Sequence, residues 1–114
     1  MNIRFATNKL EQIANDSAKL DKLCRKQNAH CTADDILEQL NILDAALSMG
    51  DIPSTLRPHP LKGSLKGSFA INVSNTHRII FRPDHEDDSD FRIDNRNTIK
   101  RIVVEELCVD YHKH

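Results

Sequence analysis

A chain of 114 residues, 39% hydrophobic and 29% charged, has room for one modest core and the composition of a globular rather than a disordered protein. No apolar stretch approaches the roughly 18–20 residues of a membrane helix, so an integral helical membrane protein is excluded. The net charge of −1 hides an uneven distribution: Arg57 to Arg82 holds five basic residues and no acid, whereas "DHEDDSD" at 84–90 places five acids in seven positions.

Residues 1–114 read as one domain. The opening "MNIRFATNKLEQIAND" has neither the apolar run nor the small-residue cleavage site of a secretory leader, so a cytoplasmic location is expected. Within it "NIRFA" alternates Ile3 and Phe5 and predicts a first strand. Thr7 or Asn8 caps a helix whose stripe, Leu10, Ile13, Ala14, Ser17, Leu20 and Cys24, continues to about Lys26. "QNAH" breaks it. Thr32 and Asp35 form a capping-box pair for a second helix carrying Ile36, Leu37, Leu40, Leu43, Ala46 and Leu47, which is expected to stop at Gly50 as a C-cap glycine. Together the two make an antiparallel helical hairpin.

Pro53, Pro58 and Pro60 forbid regular structure across 52–60, and the sequence beyond is sheet. "SFAINV" and "RIIFR" flank "SNT". A three-residue loop pairs Phe69 with Phe81, Ile71 with Ile79 and Val73 with His77, gathering the apolar residues on one face, with Asn75 or Thr76 in a left-handed conformation. A two-residue loop would mix arginine into both faces. Arg78 and Arg82 then lie on the face away from the helices, which is expected to be polar, cationic and lightly covered. The last strand, about Lys100 to Val109, alternates less cleanly because it is central and buried on both sides. The fold class is α+β: a strand and a helical hairpin packed on an antiparallel sheet.

Three cysteines, Cys24, Cys31 and Cys108, fit no C-x-x-C spacing and read as reduced thiols. His30 beside Cys31 is the nearest approach to a metal pair, but a zinc centre needs three or four ligands. No metal and no cofactor are expected. The basic window is a candidate anion-binding surface; the acidic run reads as a solvated loop of repelling charges.

Three groups of residues can meet on the uncovered face: His59 with Lys62, then Arg78, then Asp110, Tyr111 and His112. Such a set suits phosphodiester cleavage by a ribose 2′-hydroxyl, which needs a base, an acid and fixed positive charge at the phosphorane. Tyr111 offers a ring on which an unpaired base can stack. Arg57, Lys66 and Arg82 extend the cationic surface toward RNA.

The order of the pieces, "H-P-L-K-G-S-L-K-G", an aromatic, a hairpin with "R-I-I-F" and a terminal "V-D-Y-H", resembles the HigB branch of the RelE/ParE toxin superfamily, the plasmid-maintenance killer toxins. The resemblance implies a ribosome-dependent, metal-independent mRNA endoribonuclease that arrests translation. It carries the catalytic roles to His59, Lys62, Arg78, Asp110, Tyr111 and His112. It also implies a HigA-like helix-turn-helix antitoxin as partner, the ribosome and mRNA as targets, and operator DNA bound only through the antitoxin. The chain departs from the pattern in its slight acidity, in His77 where tryptophan is common, and in a longer stretch at 83–99. A gyrase-poisoning toxin of the ParE kind and a non-catalytic binding module remain the alternatives, since fold alone does not fix function.

Overall fold

The computed structural model describes residues 1–84 and 92–110. Five strands form one sheet in the order β1-β5-β4-β3-β2: β1 is Asn2–Phe5, β2 His59–Pro60, β3 Phe69–Asn72, β4 His77–Pro83 and β5 Arg101–Asp110. Three helices, α1 (Asn8–Ala14), α2 (Ser17–Lys26) and α3 (Ala33–Ala45), cover one face. The architecture is the expected α+β, with one change. β1 runs parallel to β5, Asn2 opposite Arg101 and Phe5 opposite Val104, so the sheet is mixed rather than antiparallel. Parallel neighbours need a long crossover, and the whole intervening chain supplies it.

The single helix expected over 8–26 is two. Asp16 accepts hydrogen bonds from the backbone N–H groups of Ala18 and Lys19 at 3.0 and 3.3 Å, and so starts α2 afresh. Short polar side chains compete with helical backbone bonds in this way, and here the cap wins over the continuous apolar stripe. The Thr32–Asp35 capping box forms as expected, Thr32 N–H donating to Asp35 Oδ2 at 2.8 Å. α3 ends at Ala45, five residues before Gly50, and Leu47 is 81% exposed rather than part of the buried stripe. Gly50 sits instead in a 3-10 turn (Met49–Asp51), where an added Cβ would land on Asn97 Oδ1. Close approach, not capping, calls for glycine here.

Helices and sheet enclose Leu20, Ile36, Leu43, Ile71, Ile79 and Phe81, each fully buried. Burying one such side chain is worth about 1.5–3 kcal/mol. The hairpin register is as read from the pattern: Phe69 faces Phe81 and Ile71 faces Ile79, with the two phenylalanine rings stacked at 6.2 Å. Its loop closes differently. Among the described residues neither Asn75 nor Thr76 has a positive φ. Instead Val73 and Ser74 N–H both donate to the His77 carbonyl, and Ser74 Oγ accepts from Thr76 and His77 N–H. A serine side chain thus does locally what a left-handed residue would have done.

β5 is central, as expected, and its irregular alternation has a physical cause. Its register against β4 slips twice: Phe81 faces Val104, Ile80 faces Glu106 and Arg78 faces Val109. Each slip leaves one extra β5 residue, so both Leu107 and Cys108 reach the helix-side core while Val109 turns to the other face. Burial, aided by neighbouring Cys31, raises the Cys24 thiol to about 11 and pushes Cys108 up as well, so both stay protonated in the core.

Candidate functional site

The face away from the helices is covered more than the sequence suggests. Ala70, Ile80 and Val109 form a second small apolar cluster, roofed by Leu61 and Leu65 of the "HPLKGSLKG" loop. The loop is built to lie there. His59 and Pro60 pair with Ala70 and Phe69 as a two-residue edge strand, where a proline without an N–H is tolerated. Leu61 N–H then donates to Ser68 carbonyl at 2.9 Å. Gly63 and Gly67 have φ of 68° and 99°, so both occupy conformations that disfavour any side chain. Regular pairing thus extends into the proline-rich stretch that the sequence left irregular, because the edge of the sheet accepts it.

His59 and Arg78 meet on this face. Arg78 is 4% exposed, and its Nη1 lies 2.9 Å from His59 Nε2. A guanidinium only donates, so Nε2 accepts and the imidazole proton sits on Nδ1. That Nδ1–H donates to the Arg57 carbonyl at 2.7 Å. Arg57 itself has φ of 53°, a left-handed conformation that costs a non-glycine residue about 1–2 kcal/mol. The turn brings its carbonyl within reach of the imidazole. The histidine therefore serves as a neutral bracket: it is fixed by the backbone behind it and holds a buried cation in front.

Lys62 and Lys66 occupy exposed positions in the loop that follows His59, and Arg57 is exposed as well. Arg82 is not free to extend the patch. Its Nε lies 3.8 Å from Glu105 Oε1, and the same oxygen accepts from Ser68 Oγ at 2.7 Å. Glu105, an extra residue at a β5 slip, brings an acid into a window that has none in sequence. The uneven run "VVEEL" is the only sequence signal for it. The cationic face is consequently narrower than expected, centred on Arg78 and the loop lysines.

Asp110 stands at the far end of β5, next to Val109, which faces Arg78. Its own register partner is His77. Directly opposed residues share a face, and His77 points to the helix side: its Nε2 lies 2.8 Å from Gln27 carbonyl and its Nδ1 2.7 Å from Thr76 Oγ1. Asp110 is aligned with that side rather than with His59 and Arg78. A hydrogen bond joins His59 to Arg78, and the register does not set Asp110 on their face. Tyr111 and His112 lie outside the described residues, as does most of the acidic run. Its first member, Asp84, accepts a two-pronged contact from Arg4 at 3.1 and 3.2 Å, and the guanidinium lowers its carboxyl below the usual carboxylate range.

Among the described residues no helix is long and apolar enough to cross a membrane. No protein-family model and no curated protein matches the chain. Solved structures do. YafQ from E. coli strain BL21(DE3) aligns with a TM-score of 0.58 at 16% identity, over 98% of this chain and 94% of that one, and a histidine-to-glutamine variant of YafQ gives the same values. YoeB in its complex with YefM from Staphylococcus aureus aligns with a TM-score of 0.52 at 17% identity, over 96% and 94%. The chain has the α+β fold of the RelE/YoeB/YafQ-like toxins.

Proposed function

We propose that this protein is the toxin of a toxin–antitoxin pair, of the HigB kind, and that it arrests translation by cutting ribosome-bound mRNA. The observation that carries the reading is the His59–Arg78 bracket under the HPLKG loop. A buried guanidinium, preoriented by His59 on the sheet face that the lysine-bearing loop covers, is suited to a phosphate whose negative charge grows during reaction.

In the proposed reaction a base removes the proton of the ribose 2′-hydroxyl. The O2′–P bond forms, the P–O5′ bond breaks, and an acid returns a proton to O5′. The products are a 2′,3′-cyclic phosphate and a free 5′-hydroxyl. Arg78 and Lys62 stabilise the phosphorane, while His59, with its Nε2 lone pair committed to Arg78, positions that arginine. The acid–base steps fall to His112, with Tyr111 stacking on a base and Asp110 orienting the terminal segment. Arg57 and Lys66 bind flanking phosphates, and Arg82 acts there only when released from Glu105. No metal enters the scheme, because the 2′-hydroxyl is an internal nucleophile.

The partner proposed is a small HigA-like helix-turn-helix antitoxin that neutralises the toxin and carries operator DNA binding for the complex. The solved assembly of like-folded YoeB with YefM supports a partner of the antitoxin kind. The proposed place of action is the cytoplasm, on the ribosome. A patch of so few cations makes few phosphate contacts, so the ribosome must present the message.

The test is a purified ribosome–mRNA complex whose target nucleotide carries either normal or 2′-deoxy ribose. Cleavage of the first and resistance of the second are expected, with the chemistry surviving chelation in polyamine. Equal cutting of both means attack by water and removes this assignment. Glu105 on Arg82 favours the rival, a non-catalytic or gyrase-directed protein of the same fold. Intact message together with a DNA-damage response would select the gyrase-directed form.

A further inference from the structure

The cysteines are far apart in sequence, and the fold gathers all three. Cys24 comes from the last turn of α2, Cys31 from the position before Thr32, the N-cap of α3, and Cys108 from β5. Their sulfurs lie within 4.8 Å of one another, Cys24 and Cys31 at 3.8 Å, and each residue is at most 6% exposed. His30, the neighbour that the sequence offers Cys31, is exposed.

We propose that Cys24, Cys31 and Cys108 are a three-thiolate site for a thiophilic cation of the zinc(II) class. Zinc–sulfur bonds of about 2.3 Å in a tetrahedral arrangement place sulfurs about 3.8 Å apart, the separation of the first pair. A disulfide, by contrast, needs about 2.05 Å and leaves the third sulfur unused. Binding forms three metal–sulfur bonds and releases three thiol protons, leaving one negative charge on the cluster. Two features accommodate that charge. Cys31 adjoins the positive end of the 13-residue α3 dipole. Cys108 lines a groove of about 560 Å³ whose walls carry four lysines, Lys9, Lys19, Lys22 and Lys26, against one acid, Glu106. The same groove, which reaches Cys108 but not Cys24 or Cys31, is the proposed way in for the ion. Soft thiolates select such an ion over magnesium or calcium.

The site is independent of any nuclease activity, and its test reads metal directly. Reduced, metal-free full-length protein is titrated with Zn²⁺, desalted and analysed for zinc and for titratable thiols. One zinc per chain, loss of all three thiols from the titration, a rise in Tm with free Zn²⁺, and thiolate-to-metal charge transfer on Co²⁺ substitution are expected. Cys31→Ala and Cys108→Ser should each weaken binding by more than the roughly 10–100-fold that an outer-shell partner costs. Should either variant fail to fold, the thiol titration and cobalt spectrum of the wild type still decide. The proposal is overturned if no zinc is retained, or if zinc is held with all three thiols still reactive. A Cys24–Cys31 disulfide in air, with no metal uptake after reduction, would overturn it equally.

Discussion

The two faces of the sheet each hold a histidine, and the difference between them separates support from chemistry. On the helix face His77 is 2% exposed and is held by the Gln27 carbonyl and the Thr76 hydroxyl. Both partners are neutral, and the ring ties the hairpin to the end of α2. On the other face His59 also has both nitrogens engaged, but one partner is a guanidinium. A ring held between neutral groups stores nothing for a ligand. A neutral ring aiming a cation does. The surroundings differ in the same sense: a deep core lies on one side, and a thin cluster of Ala70, Ile80 and Val109 under a loop on the other.

Substitutions can break that comparison. Phe81→Ala, in the deep core, is expected to cost about 3–5 kcal/mol in denaturant unfolding. Leu61→Ala, in the loop roof, should cost less than about 1.5 kcal/mol because its side chain is only partly buried. Equal losses would mean that the loop is as much a part of the core as the helices are. Next in size, Arg78→Ala should lower single-turnover cleavage on bound ribosomes by roughly 10²-fold, and Arg78→Lys should recover little, since a point charge cannot reproduce the fork that His59 holds. Wild-type rates from Arg78→Ala would remove the site.

Gly67→Ala tests the loop's backbone alone. Nothing lies within 4 Å of the added Cβ, so the expected loss of about 1–2 kcal/mol comes wholly from the positive φ. Gly50→Ala differs in kind, because its clash should be relieved by pairing it with Asn97→Ala; an unrelieved double variant would point to backbone strain instead. The smallest effect is electrostatic. Asp84 has its folded pKa lowered by Arg4, so its contribution is present above the unfolded value of about 3.9 and is lost as pH falls through the lower folded value. The Arg4 side chain is 62% exposed, which holds the pair below about 1 kcal/mol. Arg4→Ala should lower stability by less than about 1 kcal/mol above that acid window, neutrality included, leave it unchanged below the window, and so flatten the pH profile between.

Much of the fold is legible in the sequence where a local rule and the global packing agree. The hairpin register follows from period-two alternation at Phe69, Ile71, Ile79 and Phe81, and the capping box from Thr32 and Asp35. Legibility fails where tertiary contacts decide. The break at Asp16 competes with an unbroken apolar stripe. Leu47 continues a helical period past the end of its helix. Glu105 reaches Arg82 only because β5 slips, and the three cysteines meet only through the packing of α2, α3 and β5. The same holds for the site. His59 and Arg78 do meet, but the sequence gives no hint that the histidine's lone pair is spent on the arginine, or that Asp110 is in register with His77.

The two slips in β5 also set the phase of everything carboxy-terminal to them. Side chains on a strand alternate with a period of two, so one extra residue inverts which side each later residue occupies and a second extra residue restores it. Glu105 is itself the extra residue of the first slip, so deleting it changes the parity of the strand and removes the slip together. Glu106 would stay opposite Ile80 and Val109 opposite Arg78, and the loss would be confined to the contacts of Glu105 with Ser68 and Arg82. Inserting a residue between Glu106 and Leu107 has no slip to cancel it, and would exchange the sides of Leu107, Cys108 and Val109.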